Sequence, residues 1–556
     1  MSLLKDTLIS TLGDAVQFRA NYQYPESVVY CSVPCEKFVE AAKAMKTVSA
    51  MLAAEWATQE SSWFGIFACY RLDWEYLIVK TVTTMDDPTF PTLTKKYLPA
   101  YRFERQMNSL MGVIPEGHPD LRPWIKFEDW PQDVYPLRKS FDASKPMPRV
   151  EGEYKWLRAE GEGVYEIPVG PVHAGIIEPG HFRFQAVGEQ IINLEERLGY
   201  THKGIEKLFE SMRWEDGFRL AGRVSGDTTV AHSLAYCMAL ESMTGFVPSE
   251  RASWLRAIFL ERERIANHLG DIGAICNDAA FAFMFYQFMR LKEGILRTNS
   301  ELFGHRFIMD KIIPGGVAVD IDEKGKEKIF GELKWLEREF EKLVIIYDEN
   351  SSIEGRVKNT GVLLPEKARE LCAVGVVARA SGMNLDCRIF NPFSPYGNKP
   401  SEGTETFGSY RINLNVPVLT EGDVYARVLI RIHEVRESIR IIRWFLDNLP
   451  EGNIIATIET PSSEKAGFAA IEGWRGEIIY WLQSGPAGEI NRCMVRDPSS
   501  VNWLGLEQAI KGNIIFDFRE YQSAENTRLV PMQGDIVPDF PLCNKSFNQS
   551  YSGHDL

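Results

Sequence analysis

The sequence predicts an α+β chain: a small N-terminal α+β unit followed by a much larger, mainly helical unit with a short antiparallel sheet. Short runs of strand and helix character alternate through residues 1–145. Residues 141–160 then gather Ser, Lys, Pro, Glu and Gly, a linker composition, and the linker is set at 146–164. From 165 to 556, apolar residues recur with helical period over segments far longer than an average helix.

Within the first unit, residues 27–33 have strand character and 36–50 carry the three-and-four spacing of a helix. The runs 63–70 and 76–84 alternate like the arms of a hairpin. A second helix over 97–111 ends before Gly112, where a left-handed residue is needed. Gly117-His118-Pro119-Asp120-Leu121-Arg122 and Tyr135-Pro136-Leu137-Arg138-Lys139 are loops, and His118 is expected to serve as a loop hydrogen-bonder. In the second unit, 182–187 and 190–194 read as an antiparallel pair. Amphipathic helices follow over 228–243, 249–275, 281–302, 323–348, 366–380 and 422–447. Few Pro or Gly interrupt them, and a bundle of this kind can hold a site between facing helices. Near the end, Gly512-Asn513-Ile514-Ile515-Phe516-Asp517-Phe518 is echoed by Gly534-Asp535-Ile536-Val537-Pro538-Asp539-Phe540. The polar stretch between them, 519–533, reads as an inserted surface loop.

Composition narrows the function classes. The 556 residues are 45% hydrophobic and 25% charged, as in an ordinary globular protein, and the formal charge of -14 leaves no basic face for nucleic acid. The nine cysteines are odd in number and form no C-x-x-C pair, which fits a reducing compartment better than a disulfide framework. Cys31 and Cys35 are expected simply to be buried. The N-terminus lacks the basic-then-apolar pattern of a signal peptide. The most apolar run, 279–289, falls short of the roughly 20 residues that span a bilayer, so membrane association is expected through partners. G-x-G-x-x-G, Walker, G-x-S-x-G and H-E-x-x-H patterns are all missing, which removes the usual anchors of nucleotide, serine-hydrolase and zincin sites.

Two resemblances are specific. Phe103-Glu104-Arg105 leading to Gly112, followed by the two loops just quoted, resembles the thirty-kilodalton-type peripheral subunit of respiratory complex I, a docking element. Gln106 and Ser109 stand where that family usually carries Glu and Asp. From about residue 165 onward an ordered set of motifs resembles the large subunit of nickel–iron hydrogenases and its relative in complex I. The set comprises Gly170-Pro171-Val172-His173 through Glu178-Pro179-Gly180-His181, then Gly204-Ile205-Glu206-Lys207, Glu263-Arg264-Ile265-Ala266-Asn267-His268-Leu269, Arg379-Ala380-Ser381-Gly382 with Asp386 and Arg388, and Gly473-Trp474-Arg475-Gly476-Glu477. Both resemblances on one chain are similar to the fused large subunit of formate hydrogenlyase and of energy-converting hydrogenases.

The resemblance implies a site and also its loss. In the family, nickel and iron sit on four cysteines, whose positions here are Ser225, Thr228, Ser550 and Gly553. Hydroxyls are poor ligands for a soft metal and glycine offers none. The resemblance therefore implies a chain that is no hydrogenase and is nickel-free, binding no cofactor itself. In complex I the same region holds a quinone through a Tyr and a His. The Tyr position falls on Gly226 and His181 lies near the other, so quinone binding stays an open alternative. Arg223 and His268 match residues beside the iron–sulfur cluster of a neighbouring small subunit. Glu178 matches a proton-passing glutamate, with an ion pair to Arg388 as the alternative. Asp227, inside the emptied loop, is expected either to hold a proton or hard cation, or to share with Thr228 the cap of the helix that starts there. Arg379, Asp386 and Arg388 complete the candidate catalytic set. Glu261, Arg264, His268 and Asp271 share one helical face, as a functional stripe or as a self-satisfied one. The implied setting is a peripheral, cytoplasm-facing oxidoreductase subunit of a membrane complex. Its implied partners are an iron–sulfur small subunit and membrane subunits of antiporter-like and quinone-module-like kinds. The rival reading is a non-catalytic scaffold with a filled cavity.

Overall fold

A computed structural model describes residues 2–18, 28–73, 75–127, 129–173, 177–397, 412–462, 464–513 and 539–556. The first unit is a five-stranded sheet, β1 (Gln17–Phe18), β2 (Val28–Ser32), β3 (Met51–Gln59), β4 (Trp63–Leu72) and β5 (Glu75–Thr84), in the order β1-β2-β5-β4-β3. β4 and β5 form the expected antiparallel hairpin, while β2 runs parallel to β5. Helices α1 (Leu3–Leu12), α2 (Phe38–Thr47) and α3 (Ala100–Met111) accompany it. Gly112 ends α3 with φ 72, the expected left-handed cap. β3 goes beyond the expected elements: Leu52-Ala53-Ala54-Glu55-Trp56-Ala57-Thr58 is buried along its length, so no polar face alternates to betray it.

The second unit opens with a three-stranded antiparallel sheet, β6 (Val164–Val169), β7 (His181–Val187) and β8 (Gln190–Arg197), one strand more than the predicted pair. Five long helices follow: α4 (Thr229–Thr244), α5 (Glu250–Asp278), α6 (Ala282–Phe303), α7 (Glu323–Asp348) and α8 (Val424–Asp447). Their termini agree with the periodicity to within a few residues. In α7 the buried positions Ile329, Leu333, Leu336, Phe340, Leu343 and Tyr347 step by four and three, a single stripe turned to the core. The predicted helix over 366–380 is instead two short helices, Pro365–Glu370 and Gly375–Ala380. Cys372 at φ 51 and Gly375 at φ 64 break it, because a left-handed backbone cannot continue a right-handed helix.

A second three-stranded meander, β9 (Ala466–Glu472), β10 (Glu477–Ser484) and β11 (Ile490–Arg496), lies between the two units and is likewise additional to the expected elements. One face packs on the N-terminal sheet, where Trp481 meets Trp56 and Phe67 at 5.6 and 5.3 Å between ring centres. The other face receives α4, with Tyr480 against His232 and Tyr236. Residues 141–163 contain no helix or strand, yet Tyr154 is buried and its hydroxyl donates to Glu195 Oε1 at 3.1 Å. The echoed segment and the 519–533 insertion fall in 514–538, outside the described residues except for its flanks.

Candidate functional site

The loop before α4 and the last residues of the chain meet, although 325 positions separate Ser225 from Ser550. The two hydroxyls are hydrogen bonded at 2.8 Å. Ser550 also caps the final helix, Tyr551–Asp555, by accepting from Gly553 N at 2.9 Å. Ser225, Ser550 and Gly553 are therefore brought together, with Thr228 one bond away through Asp227. The carboxylate Oδ1 of Asp227 accepts from Ser225 Oγ at 2.8 Å and from Thr228 Oγ1 at 2.9 Å.

Between them sits a residue without an assigned role in the motif reading. Arg475 donates from Nη1 and Nη2 to Asp227 Oδ1 and Oδ2, both at 2.7 Å, a bidentate pair. Nη1 also reaches Thr228 Oγ1 at 2.8 Å, and Nε donates to Asn548 O at 2.6 Å. The guanidinium lies over Trp474 at 4.0 Å, and the Trp474 indole N–H donates to Thr228 Oγ1 at 3.0 Å. Burial works against a charge on Asp227, yet the charge and hydrogen bonds of Arg475 overcome it and hold the carboxyl well below the usual carboxylate range. Asp227 is thus an ion-pair partner and does not cap α4. That cap comes from α5, where Glu263 accepts from Val230 N at 2.7 Å and Ala231 N at 3.1 Å.

Beside the pair lies a cavity of about 250 Å³, lined by Glu178, Ser225, Gly226, Asp227, Lys545 and Gln549 among others. The Asp227 side chain is 40% exposed toward it, whereas Arg475 is buried. Glu178 is exposed at its edge and accepts from Ser552 N at 3.1 Å. The alternative pair Glu178–Arg388 does not form. Gly226, the position of the quinone tyrosine in the resemblance, points its missing side chain into open space.

The donor set does not fit a nickel–iron centre. At the positions where the resemblance implies four thiolates stand two Ser hydroxyls, one Thr hydroxyl and a glycine, and the Arg475 cation is bonded to Thr228 Oγ1 at 2.8 Å and Ser225 Oγ at 3.4 Å. The fourth position is closed physically as well. A Cβ on Gly553 would lie 2.7 Å from Asp497 Cγ, and Asp497 is pinned by His232 Nε2 at 3.0 Å and by Ser499 N at 2.8 Å. Gly553→Cys should accordingly destabilise the chain by about 1–3 kcal/mol, the usual range for overpacking, in a denaturant titration. A wild-type midpoint would contradict this.

Glu263 supplies a pH test. Burial and the neighbouring Asp227 push its carboxyl from 4.5 up to about 8, in spite of the two backbone donors. The folded state thus binds the proton more tightly than the unfolded chain. The associated stability is fully present below 4.5 and is lost as pH rises toward and through about 8. Glu263→Gln, which keeps the neutral shape, should flatten the fall in stability across that window, and thermal melts at several pH values would show it.

The remaining predicted residues lie deeper and line a different feature. Arg379 donates to Glu472 Oε1 at 2.7 Å and Glu434 Oε1 at 2.6 Å. Arg388 makes a bidentate pair with Asp386 (Nε–Oδ1 3.0 Å, Nη2–Oδ2 2.7 Å) and reaches Glu261 at 3.1 Å. His268 is hydrogen bonded to Glu434 Oε2 at 2.8 Å and is 0% exposed, so it presents no atom to the surface. Glu261, Arg264, His268 and Asp271 all turn inward toward α8 or its neighbours, Asp271 accepting from Arg431 at 2.8 Å. This is a buried network whose charges are met from within. It meets the cavity through Asp271, which accepts from Nδ2 of the cavity-lining Asn548, and the edge of Trp474 lies against His268 at 6.1 Å. His181 lies tilted against Trp156, 4.6 Å between ring centres, and is not among the cavity residues; burial and then Arg183 hold its imidazole down at about 4. Arg223, by contrast, is at the surface: its side chain is 41% exposed and Nη2 donates to Asp310 Oδ2 at 2.7 Å.

Comparison with known proteins finds relatives of both units. Residues 31–147 match the family described as the respiratory-chain NADH dehydrogenase 30 Kd subunit, and residues 278–467 match its 49 Kd subunit. Formate hydrogenlyase subunit 5 of Escherichia coli is 33% identical over 447 residues, 80% of this chain and 76% of that protein. The fused C/D protein of the NADH-quinone oxidoreductase of Phocaeicola vulgatus is 29% identical over 483 residues, covering 81% and 89%. The solved structure of a membrane-bound sulfane sulfur reductase, an archaeal respiratory membrane complex, shares the fold with a TM-score of 0.61 at 23% identity, over 72% of this chain and 100% of that one. These are components of hydrogenase-like and complex I-like assemblies. The chain belongs to the family in which a 30-kDa-type and a 49-kDa-type complex I subunit are fused, the family of formate hydrogenlyase subunit 5. Among the described residues no helix is long and apolar enough to cross a membrane.

Proposed function

We propose that this chain is a peripheral-arm subunit of a membrane-anchored, ion-translocating oxidoreductase complex, facing the cytoplasm and working without a nickel–iron centre. The observation that supports the reading is the meeting of Ser225, Thr228, Ser550 and Gly553 beside Arg475 and Asp227, as expected of a ligand site whose donors had been replaced. An iron–sulfur small subunit would dock on the surface that carries Arg223, two residues from the emptied loop, where an exposed cation raises the potential of a nearby cluster. Membrane subunits of antiporter-like and quinone-module-like kinds would take up the coupling. The rival scaffold role requires a filled pocket, and the open space of about 250 Å³ beside Asp227 favours a working one.

The test is made on the complex purified from membranes. It should contain iron but no stoichiometric nickel, and Arg223→Gln should lower the midpoint potential of the partner's cluster in a redox titration. Glu178→Gln and Asp227→Asn should depress reduction of quinone or sulfur compounds. One nickel per chain would overturn the nickel-free reading. Full activity in both variants would leave only the scaffold.

A further inference from the structure

We infer that Glu55 is a proton site at the junction of the two units, a neutral carboxylic acid hydrogen bonded to water in a small cavity beside β3. That cavity, of about 30 Å³, shares only Arg-free company with none of the Asp227 pocket: its walls are β3 and α3, with Glu55, Trp56 and Gln106, and β11, with Arg492 and Arg496. β3 is the edge strand of the N-terminal sheet, and the two arginines hold its edge on either side of Glu55. Arg492 Nε donates to Ala57 O at 3.3 Å and Arg496 Nε to Ala53 O at 2.9 Å. Glu55 is 4% exposed, and among the described residues neither of its oxygens has a hydrogen-bond partner. The buried indole N–H of Trp56 is unpartnered as well.

The neighbours decide where the proton sits. Arg492 is paired with Glu206 at 2.8 Å and Arg496 with Glu477, so neither cation is left for Glu55. The other acid close by is Glu104 on α3, which accepts from Thr92 Oγ1, from Leu93 N at 2.5 Å and from Thr94 Oγ1 at 3.0 Å. Such donors stabilise an anion, so Glu104 takes the charge and Glu55 the proton. Burial raises both acids, Glu55 well above the usual range, while the donors hold Glu104 to about 7. Tyr70 on β4, also facing Glu55, is kept neutral by burial. A protonated carboxyl needs an acceptor for its O–H and a donor for its carbonyl. Water requires roughly 10–15 Å³ and polar neighbours, so the 30 Å³ lined by Glu55, Trp56, Gln106 and Ser500 takes about two molecules. A second space of about 20 Å³ shares Gln106 and Glu206 and continues to the half-buried His202 and Lys207. On ionisation Glu55 passes its proton to a cavity water and outward by this route, leaving a carboxylate opposite Glu104.

The test uses the full-length chain in its complex. Infrared difference spectra between wild type and Glu55→Gln at neutral pH should show the C=O stretch of a protonated carboxylic acid as the band the variant loses. Loss of carboxylate stretches instead would overturn the inference. In D2O that band should move to lower frequency within minutes; a band unmoved after hours would overturn the hydration. Glu55→Asp should displace the band, so the assignment stays testable if the Gln variant assembles poorly. The folded chain binds this proton more tightly than the unfolded one, so the associated stability is complete below about 4.5 and is lost as pH rises through the folded value. Protection of peptides covering 51–59 from hydrogen exchange should therefore fall with pH relative to Glu55→Gln, by up to about tenfold per unit, with α7 unchanged. Equal protection in wild type and variant at every pH would overturn the inference too.

Discussion

Glu434→Gln is expected to destabilise the helical unit by about 3 kcal/mol, at the low end of the range for breaking a buried ion pair. Glu434 is 1% exposed and accepts from Arg379 at 2.6 Å, with Arg264 at 3.5 Å and His268 at 2.8 Å. Burial opposes its charge, and Arg379 in particular outweighs that and keeps it ionised. The reason for the low end lies in the neighbours. Around it stand three arginines (264, 379 and 388) and three further carboxyls (Glu261, Asp386 and Glu472). Burial and then Asp386 push the Glu472 carboxyl up, whereas Arg379 outweighs burial at Glu434 and holds that one down. Glu472 and Glu434 bond the same Arg379 guanidinium, so one carboxyl partly balances it when the other is neutralised. The double variant Glu434→Gln, Glu472→Gln should therefore lose more than the single changes add up to, which a double-mutant cycle would reveal. As a control, Glu341→Gln breaks the Arg436 pair, about 40% exposed on both sides, and should cost no more than about 1 kcal/mol.

Gly375→Ala is expected to be comparably severe and to act on the site at a distance in sequence. Gly375 has φ +64, and a Cβ there would lie 1.9 Å from the carbonyl oxygen of Arg475 and 2.5 Å from Gly476 Cα. The left-handed backbone alone costs about 1–2 kcal/mol for an L-residue. Relief by side-chain rotation is not available, because what must move is backbone, and overpacking of this kind adds about 1–3 kcal/mol. Displacing the Arg475 main chain should also loosen its grip on Asp227, so loss of stability and faster exchange near Ser550 should appear together. Gly331→Ala in α7, where the added carbon meets nothing within 4 Å, should be neutral or stabilising by up to about 1 kcal/mol. If both glycine variants melted alike, the close approach would carry no weight.

The parts of this fold that follow from sequence are those with a one-sided apolar pattern. α7 buries one stripe and exposes the other, α8 leaves only a narrow stripe of His433, Arg436, Arg440 and Asp447 exposed, and periodicity places their ends to within a residue or two. β3 and the β9–β11 meander are buried on both faces, so they lack the alternation that marks a strand and stay hidden in the sequence. The site divides in a similar way. Ser225 and Ser550 pair only through family motifs, since nothing local links residues so far apart. Arg475 stands inside a quoted motif without a role, and Asp497 and His232 belong to none. Their partners come from segments about 250 positions away, and a buried ion pair leaves no periodic signature. Arg388 does not pair with Glu178, because the carboxylate two residues away, Asp386, takes it first.

The seam between the two sheets has a mechanical meaning. Glu477 on β10 accepts from Arg71 at 2.7 Å and from Tyr76 at 2.6 Å, both on the N-terminal sheet, and also binds Arg496 on its own side. Pulling the units apart would strand a carboxylate and an arginine in an aromatic wall of Trp56, Phe67 and Trp481. The peptide between residues 141 and 163 is thus not what holds the halves together. A chain nicked there should still travel as one particle, and a load applied to the N-terminal sheet would be carried into α4 as if through a single rigid beam.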